Sequence, residues 1–181
     1  MVCILLGNGF EEAEALVPAD LLRRAGVQVT LTSLDGDWVA GSHTITVKAD
    51  KALADVDPKD IELVLLPGGL GGVKALGEDP RVAQLVHAVL DRGGYAAAIC
   101  AAPTLLAAFG LLKGKKAVCY PGMEHEMTGA VPQSSVPFAM DGHIITGEAA
   151  GAAFPFGLKL VEVLRGPEAA QRVKDAVHYH G

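Results

Sequence analysis

Five short apolar runs punctuate the chain, at Val2 to Leu6, Val27 to Thr32, Leu63 to Leu66, Ala96 to Ile99 and Ala117 to Cys119. Each is largely uninterrupted and bounded by glycine, proline or charge, the pattern of strands buried on both faces of a parallel sheet. Stretches with helical patterning lie between them, at Glu11 to Arg24, Asp79 to Asp91 and Pro103 to Phe109. Gly26, Gly93 and Gly110 close these stretches where a helix favours a left-handed residue. The alternation predicts a doubly wound α/β sheet, whose ligand sites collect beyond the carboxyl ends of the strands. Two stretches interrupt it. Trp38 to Val47 carries Gly41-Ser42 between extended segments and Ser134 to Thr146 carries Asp141-Gly142, so each predicts an antiparallel hairpin inserted into the parallel plan. Two more helices are expected at Ala152 to Leu164 and Pro167 to His178, joined around Gly166-Pro167.

With 181 residues, half of them hydrophobic, the chain suffices for one substantial core and is short for two, so a single domain over residues 1–181 is expected. The net charge of −6 is spread over interspersed signs and leaves no basic stripe for nucleic acid or an acidic membrane. A small molecule or another protein chain is the expected partner. The apolar run at the N-terminus is too brief for a signal-peptide core or a membrane span, which points to the cytoplasm. Cys3, Cys100 and Cys119 are odd in number and widely spaced, without CxxC or a Cys/His pair at zinc spacing. Free thiols are expected, with no disulfide framework and no metal.

Three features carry chemistry. The segment AAAICAAPT places Cys100 where a buried strand must turn into a helix, with small residues, Ala98 and Ala102, two positions to either side. A strained nucleophile elbow needs that pattern, and the first N–H groups of the next helix would favour a thiolate there. Against this stands the ordinary fate of a lone apolar-flanked cysteine, which is structural burial. In GFEEAEALVPADLLRRAG, Pro18 deprives the Glu14 carbonyl of its helical partner, and the apolar run after Glu14 suggests partial burial, whereas Glu11 and Glu12 suit a helix N-terminus. LPGGLGG, Leu66 to Gly72, follows a strand with glycines whose N–H groups could cradle an anion, although a plain turn explains them as well. It is not the GxGxxG fingerprint, and no cofactor is expected. All three features fall at the same kind of strand end, so amides of Gly69 and Ala101 near the thiol could form an oxyanion hole.

These residues, GFEEAEALVPADLLRRAG, LPGG and AAAICAAPT, resemble the ThiJ/PfpI superfamily over Met1 to about Leu164, and within it the branch of the parkinsonism-associated protein deglycase, DJ-one. The resemblance implies a flavodoxin-like sandwich, commonly a homodimer, with a reactive elbow cysteine matching Cys100. It implies a protonated glutamate matching Glu14, backbone donors matching Gly68 and Gly69, and Ala101 following the nucleophile. Arg24 matches an arginine beside an anion site, and His43 an arginine near the dimer-facing side of the pocket. Members are described as cofactor-independent glyoxalases, as deglycases of glycated protein and as redox-responsive chaperones, so a small aldehyde or a glycated protein is the implied partner.

The chain departs from that branch at Tyr120, in Cys119-Tyr120-Pro121, where the branch has histidine. A phenol with an ordinary pKa of about 10 is a poor base at neutral pH. The protease branch of the superfamily has histidine directly after the nucleophile, and here that residue is Ala101. His125 and His43 are the histidines that could substitute, with surface positions the commoner fate of each; Cys119 is a candidate partner for an oxidised Cys100, with inert burial the commoner fate. Two functions follow: an aldehyde-processing cysteine enzyme using Cys100, Glu14 and a pocket that includes Tyr120, or a non-catalytic oxidation sensor working through Cys100.

Overall fold

The computed structural model describes residues 1–181 throughout. In chain order the elements are β1 (Val2–Leu6), α1 (Glu12–Arg24), β2 (Val29–Ser33), β3 (Trp38–Ala40), β4 (Thr46–Lys48), β5 (Lys51–Ala52) and β6 (Leu63–Leu66). There follow α2 (Leu70–Glu78), α3 (Pro80–Asp91), β7 (Tyr95–Ile99), α4 (Pro103–Ala108), β8 (Lys116–Ala117), β9 (Val131–Pro132), β10 (Phe138–Asp141), β11 (Ile144–Gly147), α5 (Ala153–Arg165) and α6 (Pro167–Ala176).

One seven-stranded sheet organises them in the order β10-β11-β7-β6-β1-β2-β5, parallel except for β10. The expected flavodoxin-like, mainly parallel α/β sandwich is therefore the fold. The reason the central strands read as unbroken apolar runs is visible in β1: Val2, Ile4 and Leu6 enter one core cluster, while Cys3 and Leu5 enter the other on the opposite face. A strand covered by helices on both sides has no polar face to show. The winding reverses between β1 and β6, so the loops after β1, β6 and β7 open together beyond the carboxyl edge, the place where such sheets hold ligands.

Both predicted hairpins form, and they do different things. β10 and β11 pair antiparallel and β11 joins the main sheet alongside β7. β3 and β4 make a separate two-stranded ribbon that lies over the loop after β1: the Gly9 N–H donates to the Ala40 carbonyl at 2.7 Å and the Ser42 N–H to Phe10 at 2.8 Å. The run Ala117 to Cys119, expected as a sheet strand, is ordered only to Ala117 as strand and pairs with β9 outside the main sheet. Its next N–H, of Val118, is taken by the Thr146 hydroxyl at 2.9 Å, and the chain then bends so that the Tyr120 N–H reaches the Cys100 carbonyl at 2.7 Å.

Helix α2 is an element that the glycines of LPGGLGG concealed. Those glycines are a packing requirement: a Cβ at Gly72 would lie 2.8 Å from Phe10 Cα, and one at Gly71 3.1 Å from Gly9 Cα, so the loop after β1 presses directly on the first turn of α2. A similar close approach fixes α5 against α1, where a Cβ at Gly157 would come within 3.1 Å of Pro18 Cα. α1 runs unbroken through Pro18. No helix is long and apolar enough to cross a membrane.

Candidate active site

β7 ends at Ile99, and Cys100 takes φ = 66°, a left-handed conformation that costs a non-glycine residue about 1–2 kcal/mol. Its N–H donates to Gly147 of β11 at 3.0 Å and its carbonyl receives Tyr120, so hydrogen bonds from both sides hold the strained residue in place. Ala98 and Ala102, two positions to either side, are fully buried, as an elbow against neighbouring strands requires. The turn aims the half-buried thiol into a cavity of about 690 Å³ shared with Gly9, Glu11, Ser42, His43, Leu70 and Tyr120.

Glu14, in the first turn of α1, is 1% exposed. Its Oε2 accepts the Gly68 N–H at 2.8 Å, whereas Oε1 is buried with no hydrogen-bond partner of ordinary geometry. Gly68 makes the approach possible, because a Cβ there would lie 2.5 Å from Glu14 Oε2 and 3.1 Å from Cys100 Sγ. Burial raises the Glu14 pKa to about 7, against the pull of Cys100 and the Gly68 amide, with the charge of Glu11 adding to the rise. Burial also pushes the Cys100 thiol up to about 12, followed by the charge and hydrogen bond of Glu14, with the Ala101 and Gly69 amides pulling down.

The expected activation of the thiol by a helix terminus is thus outweighed. α4 is short, and the two nearby amides act against burial and a carboxylate together. The carboxyl and the thiol shift one another and titrate as a coupled pair. When the proton sits on Glu14, the repulsion on sulfur vanishes and Oε1–H gains an acceptor in the thiolate, which also resolves the buried orphan oxygen.

Of the backbone donors expected around sulfur, Gly69 and Ala101 are in place. Gly68 is not free for an oxyanion, since its N–H is committed to Glu14. Tyr120 is half-exposed on the cavity wall, and His43, at the tip of the β3–β4 ribbon, lines the same wall and is exposed. Arg24 is not brought to the site. It sits at the far end of α1, about 15 Å beyond Glu14 at 1.5 Å per residue, and pairs with Asp20 at 2.7 Å. His125 is exposed, with Nδ1 at 3.1 Å from the Gly122 carbonyl, outside the cavity wall. Cys119 is buried with its sulfur 3.5 Å from the Tyr120 carbonyl and also lies outside that wall.

The structure adds a cluster built on Glu11 and Glu12, two carboxylates that in the sequence suit only a helix N-terminus. Glu12 is buried, and its Oε1 accepts N–H groups of His43 at 2.8 Å and Ile45 at 3.3 Å, while Oε2 lies 3.1 Å from His43 Nδ1. Burial pushes its pKa up, but its own N–H, those of His43 and Ile45, and the imidazole prevail and hold it down at about 2. Ser42 Oγ lies 3.0 Å from Glu11 Oε2 and ties the second carboxylate to the same corner. Two adjacent glutamates before an apolar helix carry no signal that a hairpin thirty residues on will close over them.

Comparison with known proteins matches residues 1–163 to the DJ-1/PfpI family. The chain is 40% identical to protein dj-1beta of Drosophila melanogaster over 94% of its own length and 92% of the relative's. The crystal structure of that fly protein superposes with a TM-score of 0.93, at 38% identity over 97% of this chain and 96% of the other. A glutathione-independent glyoxalase, DJR-1.2 of Caenorhabditis elegans, is 35% identical over 87% of this chain and 84% of its own. A deglycase of Pyrococcus abyssi is 27% identical over 91% and 99%.

Proposed function

Because the chain belongs to the DJ-1/PfpI family, we propose that it is a cysteine enzyme of the glyoxalase or deglycase type, acting on small reactive aldehydes or on their adducts with protein. One observation carries the reading: the Cys100 thiol is aimed by a left-handed elbow into a cavity, beside a buried carboxyl that favours its proton. Relatives named glyoxalase and deglycase support the substrate class.

For a 2-oxoaldehyde the chemistry balances without an external oxidant or a cofactor. The sulfur attacks the aldehyde carbon, the carbonyl electron pair moves to oxygen near the Gly69 and Ala101 N–H groups, and Glu14 gives that oxygen its proton. The resulting carboxylate removes the C1 proton of the hemithioacetal, forming an enediolate. Glu14 returns the proton to C2 while the C1 hydroxyl proton moves to the C2 oxygen, leaving a 2-hydroxyacyl thioester. Water then breaks the C–S bond, so the aldehyde carbon ends oxidised and its neighbour reduced.

Methylglyoxal is the probe. Saturable formation of lactate above the protein-free rate is expected, abolished in Cys100→Ala and in Glu14→Ala. Lactate formation equal to the protein-free control would defeat the reading.

A second reading is favoured by the orphan Oε1 of Glu14, which as a hydroxyl could donate to an oxygen on an oxidised sulfur, a role that needs no base at Tyr120. Two equivalents of peroxide convert thiolate to sulfinate with loss of two waters. Mass spectrometry after mild peroxide should find two oxygens on Cys100 first, and earlier gain on Cys3 or Cys119 would exclude this role. For either function we propose a homodimer located in the cytoplasm. Sedimentation at twice the chain mass is the expected result for the assembly, and fractionation that leaves the protein outside the cytosol would refute the location.

A further inference from the structure

The thioester of the glyoxalase reading has to be met by water, and Glu14 is poorly placed for that task, closed in beneath Gly68, 1% exposed and held through Oε2 by the Gly68 N–H. Tyr120 occupies the wall where a base would serve. We propose that His43, positioned by Glu12, is the general base that activates this water at the solvent side of the Cys100 cavity.

His43 lines the same cavity as Cys100 and, with its side chain 71% exposed, meets water directly. Glu12 is ionised, so both its oxygens can only accept, and the 3.1 Å contact therefore places the imidazole proton on Nδ1. In the neutral ring Nε2 is then the lone pair, and it has no protein partner. The ring is also anchored through the backbone, because the other oxygen of Glu12 holds the N–H groups of His43 and Ile45. A buried carboxylate that fixes the tautomer and stabilises the imidazolium is the support a histidine base requires.

In the step, a water O–H proton passes to Nε2 as its oxygen bonds to the thioester carbon. The oxyanion rests on Gly69 and Ala101, and its collapse expels sulfur with the bonding pair. The acid product releases its proton to solvent, and the proton taken up by the imidazole returns to the Cys100–Glu14 pair, which restores the starting state. The titratable groups around the ring are Glu11 and Glu12 on the α1 side, with Cys100 and Tyr120 on the cavity wall and Glu14 buried behind Cys100. The glutamates raise the His43 pKa, the hydrogen bond of Glu12 first.

The inference rests on the cysteine-enzyme reading, but p-nitrophenyl acetate tests it apart from aldehyde chemistry, since acylation of Cys100 releases nitrophenolate as a burst and water then limits the linear phase. In His43→Gln the burst should persist while the linear phase falls about a hundredfold, the scale of a lost general base. Acetyl-Cys100 should then accumulate by intact mass, and added imidazole should restore turnover to His43→Gly. Glu12→Gln should move the acid limb of the linear phase to lower pH, a shift that loss of packing would not produce. His125→Gln should match the wild type. A linear phase and acyl lifetime in His43→Gln equal to wild type would overturn the assignment, as would a wild type without a Cys100-dependent burst. Absence of lactate from methylglyoxal beside a normal deacylation result overturns the glyoxalase reading alone.

Discussion

Glu14 ties stability to the same proton that the proposed chemistry uses. Its pKa rises from an ordinary 4.5 to about 7 in the fold, so the native state binds the proton more tightly than the unfolded chain does. The stabilisation is complete below about pH 4.5 and is lost as pH rises through 7. At ~1.4 kcal/mol per pKa unit, wild type should lose about 3 kcal/mol relative to Glu14→Gln between pH 4 and 8, read from urea unfolding at each pH. A flat difference between the two proteins would mean that the carboxyl titrates in the fold as it does in the unfolded chain. Gly68 guards this arrangement: in Gly68→Ala the new methyl meets Glu14 Oε2 and, at 2.7 Å, Cys100 Cβ. Overpacking of this kind costs about 1–3 kcal/mol, and alkylation of Cys100 by iodoacetamide should slow with it. Cys100 was legible because small neighbours around a cysteine at a strand end are a local pattern. The different fates of Gly68 and Gly69 were not, since only the register of α1 against β6 decides which N–H meets the carboxylate.

At the scale of elements, what could be read was whatever one segment dictates by itself. β1, β6 and β7 followed from apolar runs, and the ends of α1 and α3 from Gly26 and Gly93, whose φ values of 73° and 81° are left-handed. What could not be read depends on a second segment. Glycines at Gly71 and Gly72 look like a turn until Phe10 is known to press on them, and Ala117 to Cys119 looks like a strand until Thr146 takes its next N–H. Gly157 belongs to the same class. Its position gives α5 no local advantage, yet it lets the helix lie against Pro18 and Leu21 of α1, the helix that carries Glu14. Gly157→Val should destabilise by about 1–3 kcal/mol and lower methylglyoxal turnover, because α1 would be displaced from the strand ends. Alanine should cost less, since a gain in helix propensity of about 1 kcal/mol offsets a tight contact.

The molecule as a whole divides the proposed site between two mechanical parts. Cys100, Glu14 and the amides belong to the sheet and α1, whose residues fill both core clusters and are joined through β1, Val2 to Leu6 alternating between them. His43 belongs to the β3–β4 ribbon, which stands outside the main sheet and is attached by the buried side chain of Val39 with Val47 beside it, by the backbone bonds Gly9 to Ala40 and Ser42 to Phe10, by Asn8 Oδ1 to the Ala40 N–H at 3.0 Å, and by the Glu12 carboxylate. Trp38, the single tryptophan, sits on that ribbon and is 63% exposed. Its fluorescence therefore reports the ribbon, while far-ultraviolet circular dichroism reports the helices around the sheet. In wild type the two signals should share one urea midpoint, as expected for one cooperative domain. In Glu12→Ala the ribbon tip loses the group that accepts two of its N–H bonds, and local opening of an element outside the main sheet needs less free energy than global unfolding. The Trp38 transition should then precede the helical one, and deacylation of acetyl-Cys100 should fail along the fluorescence curve while the nitrophenolate burst follows the helical curve. Coincident loss of burst and deacylation would place the water-activating group on the sheet with the thiol, and the ribbon would be a cover without a part in the chemistry.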